Sequence, residues 1–71
     1  MSAASLQIIV NGKERTLAAP ATVADLLRGE DLLERRVAVE VNQELVPKER
    51  WATTELRPGD RVEIVSFVGG G

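Results

Sequence analysis

Leu6-Gln7-Ile8-Ile9-Val10-Asn11-Gly12 is the stretch that decides the fold, because it specifies both a strand and the way that strand ends. Leu6 to Val10 is rich in β-branched residues, which suit a pleated, half-buried surface. Asn11-Gly12 is the strongest short hairpin signal, since both residues tolerate the positive φ that a type I′ turn demands. The chain must therefore return antiparallel over residues 13–17. Leu17 is the clear inward candidate there, and the charged Lys13, Glu14 and Arg15 suit an edge strand.

Working outward, Thr22-Val23-Ala24-Asp25 opens a helix. Thr22 can accept from a free backbone N–H and Asp25 stands three residues on, a capping box with Asp in place of Glu. Val23, Leu26 and Leu27 then share one face. Gly29 is a natural stop, and Leu32 and Leu33 could restart a short turn of helix. Val37-Ala38-Val39-Glu40-Val41 alternates strictly, with the valines inward. Asn42-Gln43 marks a turn, Leu45-Val46 a very short strand that Pro47 ends, and residues 48–54 a helical turn around Trp51, which reads as a lid on the core. Leu56-Arg57-Pro58-Gly59-Asp60 is a turn before the last strand, residues 61–67. A helix that follows a hairpin has only that sheet on which to bury its apolar face. The last strand pairs most economically beside the first. The order predicts an α+β architecture: the β-grasp, ubiquitin-like fold, a mixed sheet wrapped on one helix. Its core would hold Leu6, Ile8, Val10, Leu26, Leu27, Val37, Val39, Val62 and Ile64. Residues 6–67 form one domain in this reading, with residues 1–5 a loose extension and residues 68–71 a flexible glycine tail.

The 71 residues are 44 % apolar, with Trp51 and Phe67 as the aromatics. No apolar run approaches the roughly 20 residues that span a bilayer, and residues 1–5 lack the basic start and apolar stretch of a signal peptide. A cytoplasmic protein without a membrane partner is the expectation. Eleven acidic residues against nine basic ones give a net charge of −2, which argues against a nucleic-acid partner. There is no Cys, His or Tyr, which removes the thiolate nucleophile, the commonest general base and the commonest zinc ligands. The carboxylates are scattered, with Asp25 explained as a helix cap and Asp60 as a turn residue. The chain therefore reads as no enzyme, with no catalytic residue, metal site or bound cofactor.

What chemistry there is lies in Val68-Gly69-Gly70-Gly71. Four residues past Phe67 reach about 13 Å at ~3.3 Å each. Glycines pass through a channel where any Cβ would collide. The α-carboxylate at the tip is ionised at neutral pH, its pKa being near ~3.5. It can attack the α-phosphate of ATP; once adenylated, it becomes an electrophile that sulfur can attack. A protein without cysteine could thus carry sulfur as a thiocarboxylate on Gly71, with Gly69 and Gly70 as the tail. Val65 and Phe67 fall on the solvent face of the last strand, and with Val68 they are the candidates for docking on a partner.

The chain resembles the ThiS family, the sulfur carriers of thiamine biosynthesis, through residues 6–71. The matching stretches are Gln7-Ile8-Ile9-Val10-Asn11-Gly12, Ala21-Thr22-Val23-Ala24-Asp25-Leu26-Leu27, Val37-Ala38-Val39-Glu40-Val41-Asn42, Val46-Pro47, Arg50-Trp51-Ala52, Gly59-Asp60-Arg61-Val62-Glu63-Ile64-Val65 and the terminal Val68-Gly69-Gly70-Gly71. The departures are the segment 1–5 and Gln43, where a glycine would suit the turn. The resemblance implies a ThiF-type enzyme that adenylates Gly71 with ATP and magnesium. It also implies a cysteine desulfurase as sulfur source and a thiazole synthase (ThiG type) that takes the sulfur from the thiocarboxylate. The alternatives are the small subunit of molybdopterin synthase, whose family also ends in Gly-Gly, or another ubiquitin-like sulfur carrier or protein modifier.

Overall fold

Asn11 and Gly12 adopt φ of 50° and 84°, the left-handed pair that a type I′ turn requires. They fold β1 (Ser5–Val10) back onto β2 (Lys13–Ala18) in a computed structural model that describes residues 4–67. The register sets Val10 opposite Lys13, Ile8 opposite Arg15 and Leu6 opposite Leu17. Leu6, Ile8 and Val10 are buried, whereas Leu17 is only partly covered. The weak alternation of β2 is thus that of an edge strand. Arg15, on the same face as Ile8, reaches past the core and forms a two-pronged ion pair with Glu30 at the end of the helix.

A second left-handed turn, Asn42 at 53° and Gln43 at 72°, joins β3 (Val37–Val41) to β4 (Glu44–Val46). Gln43 holds a conformation that costs a residue with a Cβ about 1–2 kcal/mol. Between the two hairpins lies β5 (Arg61–Ser66), parallel to β1 and antiparallel to β3, in a five-stranded sheet ordered β2-β1-β5-β3-β4. With one helix on one face, this is the expected β-grasp. The last strand ends at Ser66 rather than Phe67, although the Phe67 N–H still donates to the Arg36 carbonyl at 2.9 Å.

The helix α1 (Val23–Gly29) has seven residues, too few to persist alone, and its start is stitched to the rest of the chain. Each of its first four N–H groups finds an acceptor. Val23 donates to the Thr54 carbonyl (2.9 Å), Ala24 to the Trp51 carbonyl (3.0 Å), Asp25 to Thr22 Oγ1 (3.1 Å) and Leu26 to the Thr22 carbonyl (3.1 Å). Asp25 completes the capping box by accepting from the Thr22 N–H at 2.9 Å. That backbone N–H foremost, then the Thr22 side chain and the Arg28 guanidinium, hold the Asp25 carboxyl below its usual range. After Gly29 the chain does not restart a helix. The Leu32 N–H folds back to the Leu27 carbonyl at 2.7 Å, and Leu32 and Leu33 lie partly buried against the core.

The core joins the sheet's inner face to Val23, Ala24, Leu26 and Leu27. Ile64, expected among its members, is only half-buried and packs against the core from its margin. Ala21, Val46, Trp51 and Leu56 take the remaining places. Trp51 is the expected lid: it is buried, and its Nε1–H donates to the Val46 carbonyl at 3.0 Å, so its polar edge is satisfied.

Two outcomes test this packing. Leu26 is 1 % exposed, so Leu26→Ala should lower the unfolding free energy in urea by about 2–5 kcal/mol. Because the folded pKa of Asp25 is depressed, its stabilisation is complete above the ordinary aspartate value of about 3.9 and is lost as pH falls through the folded value. Asp25→Asn should therefore lower the melting temperature at pH 7, and the difference from wild type should shrink as the pH is lowered below the ordinary aspartate value.

Candidate functional site

The site is the end of β5, the strand from which residues 68–71 leave. Its start is set by the turn before it. Gly59, at φ 87°, donates to the Gln7 carbonyl at 2.8 Å. Asp60 Oδ2 accepts from the Arg57 N–H at 2.8 Å. The Asn42 carboxamide then grips the junction, Oδ1 accepting from the Arg61 N–H and Nδ2 donating to Asp60 Oδ1, both at 3.0 Å.

Further along β5 a second carboxamide intervenes. Asn11 Oδ1 accepts from the Ile64 N–H at 2.8 Å, and Nδ2 donates to the Ile64 carbonyl at 3.3 Å. Sequence reasoning gave Asn11 only a turn role; a contact spanning 53 positions leaves no local signal.

Val62 points inward and is buried, so Val65 and Phe67 face out, 55 % and 59 % exposed. Leu45, on the same outer face opposite Glu40, is 66 % exposed. The structure thus brings together the expected docking residues Val65 and Phe67 and adds Leu45, which sequence reading missed; its place in a short strand ahead of Pro47 concealed its outward aim. Glu40 stands directly opposite Glu63 on this face. Val68, Gly69, Gly70 and Gly71 lie outside the described residues.

Elsewhere the surface offers little chemistry. The hollow lined by Arg28, Asp31 and Glu34 and the more apolar one lined by Leu6, Pro20 and Leu56 contain no nucleophile with a base beside it. Among the described residues no group of acidic side chains is arranged to hold a metal ion, and no helix is long and apolar enough to cross a membrane.

Comparison with known proteins agrees with this geometry. The ThiS family model matches residues 8–71. The chain belongs to the ThiS family. The sulfur carrier protein ThiS of Escherichia coli is 33 % identical over 66 residues, covering 93 % of this chain and all of that one. ThiS of Bacillus subtilis is 48 % identical over 50 residues, covering 70 % and 76 %. A thiazole synthase of Paramagnetospirillum magneticum is 44 % identical over 66 residues; the match covers 93 % of this chain, which spans only 20 % of that protein's length. The crystal structure of the thiamine biosynthesis protein ThiS from Geobacter metallireducens superposes with a TM-score of 0.79 at 35 % identity, covering 93 % of this chain and 100 % of that one. The family is one of small carrier proteins rather than catalysts.

The exposed ring of Phe67 contributes little to the core, so Phe67→Lys should leave the melting temperature nearly unchanged. Binding to the adenylating enzyme that the family resemblance implies, measured by calorimetry, should weaken about tenfold or more if Phe67 is an aromatic anchor at the interface centre. Unchanged affinity would remove Phe67 from the docking surface.

Proposed function

We propose that this chain is the sulfur carrier for thiazole formation in thiamine biosynthesis, working through the carboxylate of Gly71. The observation that carries the reading is the ThiS family match, which runs through Gly71. The described domain supports it: a β-grasp whose central strand is the last described element before those residues in the chain, with apolar side chains exposed at its end.

The chemistry follows from what a carboxylate can do. One oxygen of Gly71 attacks the α-phosphate of ATP, bound with magnesium in a ThiF-type enzyme, and pyrophosphate leaves. The acyl adenylate is an electrophile with AMP as its leaving group. The terminal sulfur of a persulfide, supplied by a cysteine desulfurase, attacks the carbonyl and expels AMP. A thiol then cleaves the resulting acyl persulfide: the thiocarboxylate leaves on Gly71, and the thiol and the donor sulfur end as a disulfide. Thiazole synthase is the acceptor of that sulfur in this reading. Two thiazole synthases support it, since each contains a segment similar to this chain. The domain supplies no catalytic group and serves as the handle that presents Gly71 to one enzyme after another. Its dependence on ATP and on a persulfide source makes it a cytoplasmic carrier.

Intact-mass analysis tests this directly. After incubation with ATP, magnesium, the adenylating enzyme and a sulfur donor, the mass should rise by one oxygen-to-sulfur exchange located at Gly71. Deleting Gly71 should abolish both the gain and ATP–pyrophosphate exchange, because a carboxylate set back by one residue misses the α-phosphate and small misplacements cost about a hundredfold. Melting should be unaffected. Sulfur acquired equally by the truncated chain would refute the carrier reading, and a link formed to a Lys side chain would identify a protein modifier.

A further inference from the structure

The backbone pairing of β1 with β5 stops early. Val10 lies opposite Val62, the Asn11 N–H donates to the Val62 carbonyl at 2.9 Å, and the chain then turns away at Gly12. β5 continues for four more residues to Ser66. Its backbone groups alternate in direction: the Arg61 carbonyl and the Phe67 N–H face the β3 side, accepting from Asn42 and donating to Arg36. The N–H and C=O of Ile64 therefore face the β1 side, beyond the last paired residue of β1. There the Asn11 carboxamide meets both, at 2.8 and 3.3 Å.

A carboxamide carries the donor and acceptor of a peptide unit, so one side chain replaces a further ladder step. The position makes two demands at once. The turn needs a residue at φ 50°, which Gly or Asp would also tolerate. The grip on Ile64 needs an acceptor and a donor, which Gly lacks entirely and a carboxylate supplies only in half. Among the described residues, this is the last bond on the β1 edge before the tail, as Phe67 to Arg36 is the last on the other.

We propose that Asn11 is a positioning residue for the carrier reaction: its carboxamide fixes, through Ile64, the direction in which the chain leaves β5 and so the aim of the terminal carboxylate. The inference rests on the carrier reading above. Held extended in a partner's channel, residues 68–71 span about 13 Å, so a tilt of about 5° at the root moves the tip by about 1 Å. A displacement of that size at a reacting centre can cost up to about a hundredfold in rate. Val65 and Phe67 follow Ile64 closely in the chain and lie near the pivot, so a small tilt moves them less than the tip, and loss of the grip should register more in turnover than in affinity.

The test compares wild type with Asn11→Gly, which keeps the turn and removes the grip, and Asn11→Asp, which keeps the acceptor and loses the donor. Steady-state ATP–pyrophosphate exchange by a ThiF-type enzyme is measured against carrier concentration, at a temperature where circular dichroism shows each variant folded. Amide hydrogen exchange at Ile64 is followed by NMR. For Asn11→Gly, the Ile64 amide should exchange about tenfold faster, kcat should fall about tenfold and KM should stay within about twofold. Asn11→Asp should keep the Ile64 amide protected and recover part of kcat. A freed Ile64 amide with wild-type kcat would overturn the proposal, as would a loss expressed wholly in KM. Should Asn11→Gly fail to fold, wild-type kcat in Asn11→Asp would overturn it equally. A wild-type chain that supports no exchange refutes the carrier reading instead.

Discussion

β5 is held by two asparagine side chains where neighbouring backbone falls short, and the remaining architecture follows from that central strand. Asn11 and Asn42 occupy equivalent places. Each ends a strand that flanks β5, each opens a left-handed turn, with φ of 50° and 53°, and each turns its carboxamide onto β5. Asn42 sets where the strand begins, at Arg61, and Asn11 fastens it near its end, at Ile64. The same residue type thus serves two purposes. It accepts the positive φ that closes a hairpin, and it supplies a peptide-like group to the strand between the hairpins. Without these grips, β5 would depend on two residue pairs with β1 and on its ladder with β3.

With β5 in the middle, the two hairpins form the wings of one twisted layer, and the helix has a single place to lie. A helix of seven residues gains little from its own hydrogen bonds. Its stability comes from Leu26 and Leu27, which are almost fully covered, and from the acceptors that residues 51–54 and Thr22 offer its free N–H groups. Trp51 links these contributions. Its ring fills the core, its indole N–H satisfies the Val46 carbonyl, and its own carbonyl accepts from Ala24. The segment read from the sequence as a helical turn around Trp51, which does form a short 3-10 turn at Lys48–Arg50, is therefore the brace of the helix start. Among the described residues no buried side-chain polar atom is left without a partner, as a small core with little stability to spare requires.

How far the sequence could be read follows from the range of each interaction. The Asn11-Gly12 turn, the Thr22 and Asp25 capping box and the alternation of Val37, Val39 and Val41 are written within a few neighbouring residues, and the structure bears them out. Ile64 was assigned wholly to the core because alternation records direction but not how completely a position is covered. The ion pair of Arg15 with Glu30 and the grip of Asn11 on Ile64 join elements distant in the chain, and neither Arg15 nor Asn11 looks unusual among its neighbours. Leu45 alternates correctly with Val46, yet only the placement of β4 at the sheet edge shows that it faces water. For the site, the outward aim of Val65 and Phe67 was legible from the alternation of β5, while Gly71 rests on the reactivity of a terminal carboxylate and on the resemblance of the whole chain, and lies outside the described residues.

The division of labour between the two faces of the sheet is the last consequence of this layout. What stabilises the fold lies on the inner face, in the backbone ladders and in the side-chain bonds of Asn11, Asn42, Thr22 and Asp25. The outer face carries Leu45, Val65 and Phe67 in water, and sets Glu40 directly opposite Glu63, a like-charged arrangement that is unfavourable in a sheet. None of these placements adds to the core. They are tolerable because the core does not depend on them, so the outer face can be shaped by contact with other proteins while the inner face keeps β5 in place. On the proposed reading, a carrier that visits several enzymes in turn needs that separation. Its partners would then read one surface and one carboxylate, and substitutions that refine either would leave the packing beneath them intact.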